Sequence, residues 1–437
     1  MQVRSRHPET KNFNEIVAEN LLGFPVVNIL CYLHESGLYT KLRNGGVAID
    51  PKAAFQYGSP KMQEGNLGFM YALRHLDKSA DGKKYVLPKK TIIIESNILA
   101  ALKLREIFRS FENGWEPMLG LMVEDFPEEV RVGLALPLMS MLQNKLSRFD
   151  HKGMTEIQAL LTQLGLVQDN GLSAVGQRLY DHHVIGSFRA LTSSYRRLIN
   201  RLFMATKNTK ALKYGEDLAR DEDENARASN MLIENIVEAL RGYMDEVGIR
   251  RVLDLGSGGG HFTSKLGLET ILFDRSPTAN KHAIETAKNK KKIKGVITGS
   301  ILVKEKLQEA KEKNPDAVTI NYIIHDILGQ APNYEAGLKL VKEFLLTYKE
   351  VFGKTPLLIT ESWNVSWDDL RQGNKPHISL YTWIHAISPQ RLISPEVLRK
   401  LLQETGFTIE REIDHGSMMI KGKKTAINQT WVVRAHR

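Results

Sequence analysis

A chain of 437 residues with 42% hydrophobic side chains has material for two or three domains and a sizeable core, which excludes a disordered or fibrous polypeptide. No stretch approaches the ~20 apolar residues of a membrane span, and a single cysteine, Cys31, excludes an internal disulfide. The formal charge of +10 favours an acidic partner, although much of it is local to Lys288, Lys290, Lys291, Lys292 and Lys294, a solvated segment or a docking patch for an acidic carrier protein.

The segment Met1 to His7 lacks the apolar centre of a signal peptide, and a lone thiol suits a reducing compartment, so the expected location is the cytoplasm with no membrane attachment. Residues 13–43 carry helical periodicity through Ile16, Leu21, Leu22, Val26, Val27, Leu30 and Leu33, and Gly37 ends it. Leu67, Met70, Tyr71, Leu73 and Leu76 mark a second amphipathic helix, followed by a polar turn around Asp81-Gly82 and a strand-like Tyr85-Val86-Leu87. Helices followed by a polar hairpin form the pattern of a winged helix. It returns at Ile157, Leu160, Leu161 and Leu164 ahead of Gly165 to Leu172, which predicts two such units, 13–92 and 137–183. Between them, residues 92–148 are helical in pattern and rich in Met and aromatic side chains, as a core, a pocket lining or a dimer seam would be. Base recognition needs Arg, Asn, Gln or Lys projecting from the second helix. The candidate helices offer only Asn66, Arg74, His75, Gln158 and Gln163, so nucleic acid is not the expected partner. Residues 207–230 are polar and charged and read as a linker between a helical region, 1–206, and a second domain, 231–437.

That second domain opens with a helical pattern at Met231 to Leu240 and then runs Arg251-Val252-Leu253-Asp254-Leu255-Gly256-Ser257-Gly258-Gly259-Gly260, a strand breaking into a glycine loop ahead of a helix. Glycines permit φ > 0 and close approach to a ligand, and a helix start presents N–H groups to an anion. A dinucleotide GxGxxG would need glycine at 261, where the chain has His261. The short strand Glu269 to Asp274 ends in an acid that can accept hydrogen bonds from a ribose diol. Gly256, Gly258 and Gly260 behind Asp254 resemble motif I of the class I S-adenosylmethionine (SAM)-dependent methyltransferases. The resemblance implies a Rossmann-like α/β domain behind a mostly helical, winged-helix-like N-terminal region. It also implies SAM as cofactor, Asp274 as the ribose-binding acid, and Ser300 at the adenine contact, where these enzymes usually have aspartate.

Asp316 to Asp326 is a strand running into a turn, and Pro356 to Glu361 is a further buried strand. His325-Asp326 and Glu361 resemble the catalytic residues of the small-molecule O-methyltransferases. In that family the histidine deprotonates the acceptor hydroxyl and the glutamate orients it; an imidazole titrating near neutrality suits the task. A second late carboxylate of that family has no match in Ser388-Pro389-Gln390-Arg391, while Ser394-Pro395 predicts a helix N-cap with proline at the first helical position. The family's winged-helix domains serve dimerisation and substrate covering, so the resemblance implies a homodimer acting on a small-molecule or acyl-carrier-bound acceptor.

His377, Tyr381 and His385 share a helix face. A related branch of C-methyltransferases acting on keto acids or polyketide acyl groups implies a mononuclear metal such as iron, held by His325 and His377, as a Lewis acid for an enolate. Phe407 to Ile413 and Thr430 to Arg434 alternate as two terminal strands, the antiparallel pair of a class I sheet. The competing non-enzymatic reading is a winged-helix regulator that senses SAM and binds DNA.

Overall fold

The computed structural model describes residues 25–26, 28–50, 52–53, 59–89, 95, 98–99, 101–102, 161–162, 165–168, 171–181, 233, 236–373, 376–388 and 390–436. The linker expected at 207–230, nearly all of the apolar region 92–148 and most of the helix expected at 155–164 lie outside the described residues. Contacts divide the chain into two units, one of residues 1–51, 58–211 and 374–384, the other of 52–57, 212–373 and 385–437.

In the first unit, helical residues 28–35 give way at Gly37, whose φ of 70° breaks the helix before α1 (Leu38–Arg43). Strand β1 (Val47–Ala48), helix α2 (Ser59–Ala72), β2 (Asp77–Lys78) and β3 (Lys84–Val86) follow, and the strands pair antiparallel in the order β1-β3-β2. Helix α2 starts earlier and stops sooner than the expected Asn66 to Leu76. Arg74 takes a left-handed φ of 66°, which turns the chain into β2. Cys31 is buried in this unit's core. A hairpin of β4 (Val167–Gln168) and β5 (Gly171–Leu172) precedes α3 (Ala174–Asp181).

The second unit is a doubly wound sheet. Residues 236–246 form helix α4, and the chain continues through β6 (Arg251–Leu255), α5 (His261–Leu266), β7 (Glu269–Asp274), α6 (Pro277–Thr286), β8 (Ile293–Thr298), α7 (Lys304–Lys311), β9 (Ala317–Asn321) and α8 (Ile324–Gly329). After them come α9 (Tyr334–Phe352), β10 (Leu357–Ser362), α10 (Trp367–Gly373), α11 (Pro376–Ile387), α12 (Pro395–Glu404), β11 (Phe407–Ile420) and β12 (Lys423–Ala435). Helix α11 is shared by the two contact units, its residues up to Ile384 falling in the first and those from His385 in the second. The strand order is β11-β12-β10-β9-β6-β7-β8, with β6 to β10 parallel and β12 antiparallel to β10.

Both faces of the central strands are covered, which is why β6, β7, β9 and β10 are near-continuous apolar runs. Leu253, Leu255, Val318, Ile320, Leu357 and Ile359 pack on one side with residues of α7, α8, α9 and α12. Val252, Ala317, Leu358 and Val432 pack on the other with residues of α4 and α5. Ser394 caps α12 by accepting from Val397 N at 3.3 Å, with proline next, as its sequence predicts. The order reverses between β6 and β9, so the loops at their C-terminal ends open a crevice, the place where sheets of this kind bind ligands.

Candidate active site

The glycine loop at the end of β6 is shaped by three left-handed glycines, Gly256 (φ 76°), Gly258 (φ 50°) and Gly260 (φ 71°). Each has a different surrounding. A methyl group on Gly256 would meet Ile323 Cδ1 at 2.4 Å, and one on Gly260 would meet Ala283 Cβ at 2.7 Å, so both positions require close backbone packing. Nothing lies within 4 Å of the corresponding point on Gly258, which faces open space. The loop is pinned to β7 by Gly256 N and Ser257 N, both donating to Phe273 O at 2.8 and 3.0 Å. Ser257 is buried, and its Oγ has no hydrogen-bond partner. A buried hydroxyl left over in a glycine cradle fits a polar ligand.

Asp274, at the end of β7, accepts from Gly258 N at 2.9 Å and from Ser276 N at 2.9 Å. The carboxylate therefore sits against the loop. Asn280 of α6 gives its Nδ2 to Asp274 O, Ile297 O and Thr298 Oγ1, which locks the ends of β7 and β8 together. Ser300 follows β8, and its Oγ accepts from Leu302 N at 3.2 Å to close a local turn.

Asp254 is oriented differently from a free ligand-facing acid. It is 2% exposed, sits on the same sheet face as Val252, and accepts at Oδ1 from Thr319 Oγ1 (2.7 Å) and Asn321 Nδ2 (3.2 Å) across the β6–β9 pair. Burial pushes its carboxyl up to about 7, against the two hydrogen bonds and with the charge of Asp274 raising it further. Thr319 and Asn321 were not singled out by the sequence reading. Their signal is that polar residues recur at i and i+2 in an otherwise apolar buried strand, on one face.

At the other side of the crevice, β9 ends in Tyr322, a non-glycine residue at φ 58°. Its N–H donates to Thr360 O at 2.9 Å, and its hydroxyl accepts from Asn428 Nδ2 at 2.8 Å, which together hold a backbone state that costs roughly 1–2 kcal/mol. That bend starts α8, which carries His325. The imidazole is 4% exposed, with Nδ1 2.8 Å from Oε1 of Glu361, a wholly buried carboxylate at the end of β10. His325 N also donates to Glu361 Oε2 at 3.3 Å. Because an ionised carboxylate only accepts, Nδ1 carries the hydrogen and Nε2 is left as the acceptor. On that side lies Asp326, with Oδ1 3.5 Å from Nε2, and Asp326 in turn accepts from Gln390 Nε2. His385 of α11 meets the His325 ring edge-on, centroids 4.9 Å apart.

The structure thus brings Gly256, Gly258, Gly260, Asp274 and Asp254 to one side of the switch point, and His325, Asp326 and Glu361 to the other. Gln390, overlooked as a site residue in the sequence, joins the second group. His325 Nδ1 is committed to Glu361, the side chain of His377 lies outside the described residues, and among the described residues no group of three His, Cys, Asp or Glu side chains could hold a metal ion. The lysine cluster is also displaced from the site: Lys290–Lys292 form a short 3-10 turn ahead of β8, at the N-terminal edge of the parallel strands, opposite the crevice. Lys294 there pairs with Glu269 at 3.0 Å. Among the described residues no helix is long and apolar enough to cross a membrane.

No protein-family model matches the chain, and no curated protein matches it. Among solved structures it is similar to the mitomycin 7-O-methyltransferase MmcR, at 15% identity over 70% of this chain and 93% of that one, with a TM-score of 0.48. It is also similar to an O-methyltransferase family protein from Burkholderia thailandensis, at 13% identity over 77% and 98% of the two chains, TM-score 0.47. A third similar structure is human N-acetylserotonin methyltransferase in complex with SAM, at 13% identity over 100% of both chains, TM-score 0.38.

Proposed function

We propose that this chain is a SAM-dependent methyltransferase that methylates a hydroxyl of a small-molecule acceptor, with His325 as general base. The observation that carries the reading is the buried His325–Glu361 pair at the C-terminal edge of the same sheet whose switch point carries the open glycine cradle. The motif I resemblance of the loop and the orphaned Ser257 hydroxyl support SAM as the ligand of that cradle.

Gly258, Ser257 and Asp274 would hold the cofactor, with Asp274 accepting from the ribose hydroxyls and Ser300 near the adenine. Asp254 would act indirectly, bracing β6 against β9 beneath the loop. When bound, SAM supplies a methyl group activated by its positive sulfur. Glu361 would fix the tautomer of His325, so that Nε2 would take the proton from the acceptor hydroxyl and leave its oxygen to receive the methyl group that SAM would supply. Desolvation around the ring keeps water from competing as acceptor.

The helix and three-stranded sheet of the first unit support a winged-helix-like module, to which we assign dimerisation and covering of the acceptor, with domain limits at 1–206 and 231–437 and a cytoplasmic location. The test is calorimetric titration of the protein with SAM and with its demethylated product, followed by incubation with methyl-labelled SAM and a panel of phenols, aliphatic alcohols and keto acids. Micromolar binding and label transfer to a hydroxyl compound are expected. Absence of SAM binding would refute the reading, and transfer to carbon would redirect it.

A further inference from the structure

Asp254 lies beneath the glycine loop, two residues ahead of Gly256 and 2% exposed. Its hydrogen bonds reach Oδ1 alone, and both come from neutral donors of β9, Thr319 Oγ1 at 2.7 Å and Asn321 Nδ2 at 3.2 Å. The helices over that face of the sheet, α4 and α5, bring apolar side chains to it, among them Leu240, Met244, Phe262 and Leu266. Among the described residues, the one charged group that acts on Asp254 is Asp274, a like charge whose Oδ2 accepts from Gly258 N of the loop.

A carboxylate enclosed in this way is unfavourable: two neutral donors offset part of its lost hydration, and the neighbouring charge repels it. Burial brings the change between acid and carboxylate to about 7, where both states are within reach. Asn321 suits both of them. Its Nδ2 serves the ionised form, and its Oδ1, buried and without a hydrogen-bond partner, can accept from the hydroxyl of the neutral form after the amide turns over. Charge arriving in the cradle then tips the balance. SAM carries a sulfonium, and its demethylated product is a neutral thioether at the same atom. A unit charge about 10 Å away, at an effective dielectric of about 20, changes the ratio of the two ionisation states roughly tenfold.

We propose that Asp254 responds to the charge of the ligand in the cradle: it keeps a proton in the free protein, releases it to solvent when the sulfonium of SAM binds, and regains one from solvent with the thioether product. Asp254 thereby favours the methyl donor over the spent product through its field, touching neither. It is a specificity-determining residue and not a catalytic one, a role that rests on SAM as the ligand of the cradle.

The test is calorimetric titration of the full chain and of Asp254→Asn with SAM and with its demethylated product, at pH 5.5, 6.5 and 7.5, in buffers of different ionisation enthalpy. At pH 6.5 SAM should release about half a proton more than the product from the wild type, and that difference should vanish in the variant. Relative to the variant, wild-type affinity for SAM should rise about sixfold from pH 5.5 to pH 7.5, because the attracting charge is present only above the transition of the free protein. At pH 7.5 Asp254→Asn should bind SAM about eightfold more weakly than wild type and the product within about twofold. Equal proton release for the two ligands, a difference that persists in the variant, or a loss of affinity equal for both ligands at every pH each overturns the proposal; the last is what bracing of β6 alone would give. Should the variant not fold, the carbon-13 carboxyl resonance of Asp254 in the wild type at pH 6.5 decides. It should stand towards the protonated position in the free protein and with product, and towards the ionised position with SAM; one position in all three overturns the proposal. Failure of the wild-type protein to bind SAM would instead overturn the function on which it rests.

Discussion

Replacing Asp254 by asparagine tests the electrostatics beneath the glycine loop. The side chain is wholly enclosed between β6 and β9, and burial raises its carboxyl from 3.8 to about 7. A group whose folded-state pKa lies above its unfolded value favours the fold while protonated in both states, and that advantage is lost as pH rises from the unfolded to the folded pKa. At about 1.4 kcal/mol per unit, ionising Asp254 costs the folded chain up to about 4 kcal/mol by pH 8.5. Asparagine can still accept from Thr319 and Asn321 through its carbonyl oxygen while carrying no charge. The variant should therefore be more stable than wild type, and the gap should widen by about 3 kcal/mol between pH 5 and pH 8.5. Urea denaturation at those two pH values, without cofactor, measures it. A stability difference that is equal at both would refute the assignment of Asp254 as a strained buried charge.

His325→Ala should lower turnover by about 10²–10⁴-fold while leaving SAM affinity in calorimetry unchanged, because the imidazole serves the acceptor and not the cofactor. Gly260→Ala combines φ 71° with a 2.7 Å clash on Ala283 Cβ and should destabilise the fold by about 2–4 kcal/mol in thermal or urea unfolding. Gly258→Ala meets no neighbour, so it should cost only about 1–2 kcal/mol of stability but sharply weaken SAM binding, by placing a methyl group in the cradle. Reversing the charges of Lys288, Lys290 and Lys291 should leave kcat and KM for a free acceptor unchanged, since these residues lie at the opposite edge of the sheet; a lower kcat would show that the patch reaches the site.

Much of the second unit was legible because buried parallel strands are short apolar runs with punctuation. Glu269–Asp274 was marked by its composition and terminal acid, and Ser394-Pro395 marked the start of α12. The terminal hairpin was less legible. Strands β11 and β12 run 14 and 13 residues, while the sequence pattern showed only their ends. Register shifts at Ile409/Arg411, Asp414/Gly416 and Gly416/Ser417 break the two-residue alternation on which such a reading depends. In the first unit, helix α2 runs Ser59–Ala72 where the sequence pattern predicts Asn66 to Leu76; its early stop depends on a left-handed Arg74, a state that no local residue preference marks.

The sequence by itself determined the glycine loop, the acids at 254 and 274, and the His325–Asp326 and Glu361 positions, because each is a local pattern of residue type and spacing along one strand end. Only the tertiary structure decided what those residues face. It turned Asp254 inward onto Thr319 and Asn321, set Asp274 against Gly258, joined His325 to Glu361 across 36 positions of chain, and brought in Gln390 from beyond α11. Hydrogen bonds between distant strand ends are fixed by sheet order and register, and those are properties of the packed chain, not of any one segment.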